Sequence, residues 1–177
     1  MKKTLTTELI MTILWVLLGV LGFYFLAGTV KTWLLPLYTA VVLLAYLVRW
    51  QFLVAAGILL PMVTALLTLH NGFSWTAVII EIVMLMATGL LICFSYQKWK
   101  WSVHSSLVFG IVLGRVFGGL IAWLLSAVFA MGSFSNLFTY TMNSITGDIW
   151  GIAFQLAFVP LVVSFVFRKI YKTGKRR

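Results

Sequence analysis

Long apolar runs separated by short polar stretches occupy almost the whole chain. The runs cover residues 9–30, 33–48, 52–69, 75–96, 103–130 and 149–167. A helix that crosses the hydrocarbon core of a bilayer needs roughly 20 apolar residues, or about 17 if it is short. The second run is marginal by this measure, and the others qualify. The pattern predicts an all-α integral membrane protein in which residues 1–177 form a single domain of six transmembrane helices.

The composition supports this assignment and excludes an ordinary soluble domain. Hydrophobic residues make up 63% of the chain and charged residues only 9%, whereas about 25% charged residues is typical of soluble domains. The first run is longer than the apolar region of a removable signal peptide, so we expect it to stay in the protein as a span. Cys93 is the only cysteine, which excludes a disulfide within the chain.

The basic residues predict an orientation in the membrane. The formal net charge is +10, and 11 of the 13 lysines and arginines fall on one side if the chain crosses the membrane at each run. By the positive-inside rule, both termini are predicted to be cytoplasmic. The basic C-terminal tail then lies near anionic membrane lipid and not on nucleic acid.

Polar residues without positive charge are concentrated in the predicted outward loops. These loops are residues 27–32, 70–75 and 131–148, and the last is the longest. A ligand site, if the protein has one, is therefore expected to open outwards. The candidates for ligand contact in and beside these loops are His70, Asn71, Trp75, Asn136, Tyr140, Asn143 and Asp148.

The fifth run contains a small residue at every fourth position. The row consists of Ser106, Gly110, Gly114, Gly118, Ala122, Ser126 and Ala130. Such a row lets a second helix approach closely, and van der Waals contact then stabilises the helix pair inside the bilayer. The row predicts a helix-packing face, and its central members are Gly110, Gly114, Gly118 and Ala122.

Arg115 lies in the middle of the same run, at roughly 15 Å or more from either end. An arginine at the centre of a span costs about 2.5–3.5 kcal/mol on insertion scales, so it requires an anion or a hydrated cavity within the protein. The chain has only three acidic residues, Glu8, Glu81 and Asp148. One interpretation is an ion pair between Arg115 and Glu81 that joins two helices. The other is that Arg115 binds an anionic group of a substrate, with Glu81 accepting hydrogen bonds in the same cavity.

The sequence gives no indication of an enzyme or of a resident cofactor. Zinc-protease, serine-hydrolase and phosphate-binding-loop motifs are absent from the sequence, so any ATP hydrolysis is expected in a partner subunit. His70 leaves open a haem-binding alternative, because a histidine side chain can ligate haem iron.

Four stretches resemble the membrane-embedded substrate-binding (S) components of energy-coupling factor vitamin transporters, in particular their pantothenate and hydroxymethylpyrimidine branch. One is the stretch over residues 34–68, with Pro36 and Pro61. The others are "GFSWTAVIIEIVMLMATGLL", "VLGRVFGGL" and "GIAFQLAFVPLVV". Together they cover about three-quarters of the chain. The first run departs from the family pattern, because it lacks the paired alanines common there.

The resemblance implies a six-helix bundle with an outward-facing pocket for a pantothenate-like or pyrimidine-like vitamin precursor. It also implies a transmembrane coupling (T) subunit and two cytoplasmic ATPase subunits as partners, with delivery by toppling of the S component. Carried over to this chain, it makes Arg115, Glu81 and the outer part of the sixth helix ligand contacts. A membrane scaffold or assembly subunit that transports nothing is the alternative from another functional class, since the small-residue row also suits contact between proteins.

Overall fold

The computed structural model describes residues 5–26, 35–67, 75–129 and 137–174. All secondary structure in this part of the chain is α-helical. The helices are α1 (Leu5–Phe25), α2 (Pro36–Leu47), α3 (Trp50–Leu67), α4 (Trp75–Gln97), α5 (Val103–Phe129), α6 (Leu137–Gly147) and α7 (Ile149–Gly174).

Four of these helices, α1, α3, α4 and α5, are long and apolar enough to cross a membrane. A fifth span is possible if α6 and α7, which meet at an angle of 62°, are counted together. The prediction of an all-α protein with several membrane-compatible helices is therefore confirmed. Helix α2 has only 12 residues, about 18 Å of helix against a hydrocarbon core about 30 Å thick. The six predicted spans thus stay a prediction.

The short helix α2 lies at the centre of the bundle. It packs against α1, α3, α4 and α7, and its residues from position 40 to position 46 are all buried. The Tyr46 hydroxyl lies 3.0 Å from Ser106 Oγ, which joins α2 to the start of α5. The Gln97 amide donates to the carbonyl oxygens of Ala45 and Val48, which satisfies backbone acceptors at the end of α2. This central position explains why a short helix carries so much of the core.

Helices α4 and α5 pack along the small-residue row of α5. A Cβ atom added at Gly118 would lie 2.8 Å from the sulfur of Met84, and one added at Gly114 would overlap Thr88. Gly110 meets Ile92 in the same way, and Ala122 is fully buried. The row is thus used for contact within the chain, because only glycine leaves room for the neighbouring helix at this spacing.

Gly114→Ala should lower the free energy of unfolding by about 1–3 kcal/mol, because the added methyl overlaps Thr88 in a tightly packed interface. The measurement is thermal unfolding in detergent with a thiol-reactive dye, for which the single, buried Cys93 is a natural reporter. Gly147→Ala is the matched control, since a Cβ at Gly147 would meet nothing within 4 Å. Equal stability of the two variants would contradict the prediction.

Residues 131–148 were predicted to form the longest outward loop, and the structure describes residues 137–148 of this segment. Residues 137–147 form α6, which packs on α5, so the loop prediction is wrong for this part. Hydroxyl side chains, typical of loops, can instead bond to their own helix. Thr146 Oγ1 donates to the carbonyl oxygen of Met142 at 2.8 Å. Near a membrane a helix is favoured because it satisfies the backbone groups internally.

An ion pair joins α1 to the turn between α2 and α3. Glu8 Oε2 lies 3.2 Å from Arg49 Nε, and the Glu8 side chain is 2% exposed against 55% for Arg49. The pair ties the first turn of α1 to the rest of the bundle. Arg49, one of the 11 basic residues on the predicted cytoplasmic side, therefore also has a structural contact.

Candidate functional site

Arg115 is completely buried near the midpoint of α5. Arg115 therefore lies about 18 Å or more along the helix axis from either end of α5. Its position in the sequence is one residue after Gly114, so its side chain leaves the helix about 100° away from the face that contacts α4. A charged group this far from water needs partners within the protein.

The carboxylate in contact with Arg115 belongs to Asp148. Arg115 Nη2 donates to Asp148 Oδ2 at 3.0 Å, and the two side chains are 0% and 28% exposed. In the sequence, the two interpretations of Arg115 gave it Glu81 or a substrate anion as its partner. Asp148 was identified there only as a candidate ligand contact in the longest outward loop.

The bend between α6 and α7 positions Asp148. The residue lies between the two helices, at the point where the chain turns by 62°. Its carbonyl oxygen accepts a hydrogen bond from the Ile152 backbone N–H at 2.9 Å, as expected of a residue that precedes the first turn of a helix. The bend therefore presents the Asp148 carboxylate to the middle of α5.

Tyr38 of the central helix α2 covers the guanidinium of Arg115. The guanidinium carbon lies 5.3 Å from the centre of the tyrosine ring, within the range of a cation–π contact. Tyr38 is 6% exposed. The ring thus shields one side of the charge from the rest of the core, while the hydroxyl adds a polar atom to the cluster.

Several polar atoms around the ion pair of Arg115 and Asp148 have no hydrogen-bond partner among the described residues. They are Nε and Nη1 of Arg115 and the hydroxyl of Tyr38, all buried. A buried donor without a partner costs about 1–3 kcal/mol, and more if it is charged. The salt bridge to Asp148 therefore balances the charge of Arg115 but engages only one of its three nitrogens. Two nitrogens of Arg115 and the Tyr38 hydroxyl are therefore available for further hydrogen bonds in the interior of the bundle.

Glu81 and Tyr140 belong to the same electrostatic environment. Tyr38 on α2 and Tyr140 on α6 both lie within electrostatic range of Arg115, Asp148 and Glu81. We call these five residues the Arg115 cluster. They come from α2, α4, α5, α6 and the α6–α7 bend, so the cluster exists only in the folded bundle. Four of them, all except Tyr38, were among the candidate ligand contacts in the sequence.

A second polar contact lies between α2 and α7. Gln155 Nε2 donates to Thr39 Oγ1 at 3.3 Å, while Gln155 Oε1 is buried without a partner among the described residues. In the sequence, Gln155 was recognised only as part of a motif that resembles the S components, and Thr39 was given no role. The amide of Gln155 was a weak sequence signal for such a contact, because a buried amide in an apolar helix requires a hydrogen-bond partner.

The other sequence candidates lie elsewhere or outside the described residues. Trp75 begins α4 and is 64% exposed, and Asn143 is exposed on α6. His70, Asn71 and Asn136 lie outside the described residues, so their role as ligand contacts stays a prediction. Within the described part of the chain, no group of three or more His, Cys, Asp or Glu side chains could hold a metal ion.

An open groove of about 200 Å³ lies between α1, α2 and α7. Gly19, Gly22, Pro36 and Phe158 are among its lining residues, and its walls are almost entirely apolar. None of the charged residues of the Arg115 cluster lines it. Its chemistry suits membrane lipid, because specific recognition of a polar molecule requires several polar groups at fixed positions.

Comparison of the chain with protein-family models, with curated proteins and with solved structures gave no match. The similarity to S components of vitamin transporters therefore rests on the sequence motifs alone.

Proposed function

We propose that this chain is the substrate-binding membrane subunit of an energy-coupling factor importer, and that it binds a small vitamin or cofactor precursor. The observation that supports this most strongly is the Arg115 cluster. A fully buried arginine has one nitrogen on Asp148 and two without partners among the described residues. Charged residues at such depth are costly and usually serve a substrate path or a ligand.

The cluster has the composition expected of a small-molecule site. Such sites are mostly apolar, with a few polar groups at fixed positions that orient the ligand. Tyr38 and Arg115 supply an aromatic face and donors, while Asp148 and Glu81 supply acceptors. The residues come from separate helices, so a change in the packing of the helices would change the site. That property suits a subunit that binds on one side of the membrane and releases on the other.

The proposal includes six spans with both termini in the cytoplasm. The second span would then be the apolar run over residues 33–48, which contains α2. The basic residues support this orientation in a bacterial plasma membrane. The energy for import would come from partners, namely a transmembrane coupling subunit and two cytoplasmic ATPases, because the sequence lacks a phosphate-binding loop.

A membrane scaffold accounts less well for these features. The small-residue row that suits a protein contact is already packed against α4 at Gly110, Gly114 and Gly118. A scaffold also has no need of a buried arginine with unengaged donors, because such a group lowers stability. The transporter proposal gives both features a purpose.

The test is affinity purification of the tagged chain from its native membrane in a mild detergent. The proposal predicts that a second multi-span protein and ATPase subunits copurify in fixed proportion, and that ATP releases or remodels the complex. Purification from a membrane extract treated with a denaturing detergent is the control for nonspecific capture. Recovery of the chain with cell-shape or assembly proteins and without any ATPase would favour the scaffold.

A further inference from the structure

Arg115 already has a counter-ion within the chain. The Asp148 carboxylate lies 3.0 Å from the guanidinium, so the pair is neutral overall. We propose that the site selects uncharged molecules that present hydrogen-bond acceptors, such as a ring nitrogen or an amide carbonyl, and that Asp148 is the residue that excludes carboxylates. This inference rests on the proposed function of the chain as a binding subunit.

Electrostatics disfavours an anionic ligand at this site. The guanidinium of Arg115 and the carboxylate of Asp148 form a pair whose formal charges cancel. A bound carboxylate would therefore add a negative charge without a counter-ion in a medium that screens poorly. It could contact the unpartnered Nε and Nη1 of Arg115 only beside the Asp148 carboxylate, which the bend between α6 and α7 holds in place. The repulsion between the two carboxylates counts against every anion and not against neutral molecules.

The buried donors without partners favour a ligand that carries neutral hydrogen-bond acceptors. Arg115 Nε and Nη1 are both donors, and the Tyr38 hydroxyl can donate as well. An uncharged ring nitrogen or carbonyl oxygen satisfies such donors without changing the charge of the site. Hydrogen bonds from an ionised donor are also stronger than those between neutral groups. A pyrimidine alcohol therefore fits the site better than pantothenate, although both are compatible with the sequence resemblance.

The experiment compares ligands that differ in one charge. The probes are hydroxymethylpyrimidine and two neutral–anionic pairs, panthenol with pantothenate and nicotinamide with nicotinate. Thermal stabilisation and titration calorimetry are measured for the full chain in detergent. We expect at least one neutral probe to bind the wild type, and to bind at least 10-fold more tightly than any carboxylate.

Asp148→Asn supplies the second arm, because it keeps the shape of the side chain and removes its charge. In this variant Arg115 lacks its counter-ion, so we expect pantothenate or nicotinate to gain affinity at least 10-fold. Asp148→Glu is the matched control, and it should keep the preference for neutral probes. If Asp148→Asn does not fold, formate is added during purification to supply the missing carboxylate. The comparison of neutral and anionic probes on the wild type tests the charge selection even without this variant.

The outcomes separate the two proposals. A carboxylate that binds the wild type as tightly as the neutral probes overturns the charge selection and leaves the binding-subunit proposal standing. Unchanged anion affinity in a folded Asp148→Asn variant also overturns it, since Asp148 would not be the excluding group. If none of the probes binds the wild type, the charge selection fails as proposed, whereas the binding-subunit proposal is decided by the copurification of partner subunits.

Discussion

Arg115→Met should weaken the binding of hydroxymethylpyrimidine about 100-fold. The substitution keeps an unbranched, flexible apolar stem but removes both donors that have no partner among the described residues. Hydrogen bonds from charged groups contribute about 1.5–3 kcal/mol each, so the loss of one or two of them accounts for this factor. Calorimetric titration of the purified variant measures it.

Two further variants make the result specific to Arg115. Arg49→Met is the matched control, because Arg49 is 55% exposed and pairs with Glu8 instead of joining the Arg115 cluster; it should leave affinity unchanged. Arg115→Lys keeps the charge but not the planar guanidinium, and it should recover only part of the affinity. An Arg115→Met protein whose affinity stays within a factor of two of the wild type would show that Arg115 does not contact the ligand.

Asp148→Ala should lower the free energy of unfolding by about 3–5 kcal/mol, because it leaves a fully buried guanidinium without its counter-ion. Arg115→Met should cost less, since the Asp148 side chain that it leaves is 28% exposed and can be hydrated. The measurement is again unfolding in detergent, followed through the thiol of Cys93.

The double variant Arg115→Met/Asp148→Ala distinguishes a broken ion pair from a general loss of packing. Removal of both charges should restore most of the stability lost in Asp148→Ala, because a buried pair contributes little net stability compared with apolar residues. A double variant as unstable as Asp148→Ala would mean that Asp148 acts through the α6–α7 bend and not through Arg115.

The fold could be predicted from the sequence as far as its helical, membrane-compatible character. The apolar runs are long and the charges are few, and bilayer physics permits mainly helices for such runs. The boundaries of α2 could not be predicted as well from the sequence. Its run of 16 apolar residues contains a helix of only 12 in the structure, and its burial arises from four neighbouring helices. That burial is a tertiary property that no local pattern records.

The candidate site was predictable in part. Arg115 was identifiable because a charge in the middle of an apolar run always requires an explanation. Its contact with Asp148 was not, because the segment before Asp148 resembles a loop and only the helix α6 and its 62° bend bring the carboxylate inwards. Tyr38 was not assigned a contact either, since an aromatic residue in an apolar helix has the same signature whether it packs in a core or covers a cation.

The central claim is that the buried Arg115 cluster holds a small molecule, and native mass spectrometry of the wild-type chain, purified in mild detergent from cells grown in rich medium, tests it most directly. The account predicts a stoichiometric, vitamin-sized, uncharged compound that remains bound in the gas phase and is absent from Arg115→Met. A wild-type protein that carries no small molecule, even after incubation with the neutral probes, would contradict the account. A compound retained in full by Arg115→Met would contradict it as well, because the ligand would then bind elsewhere.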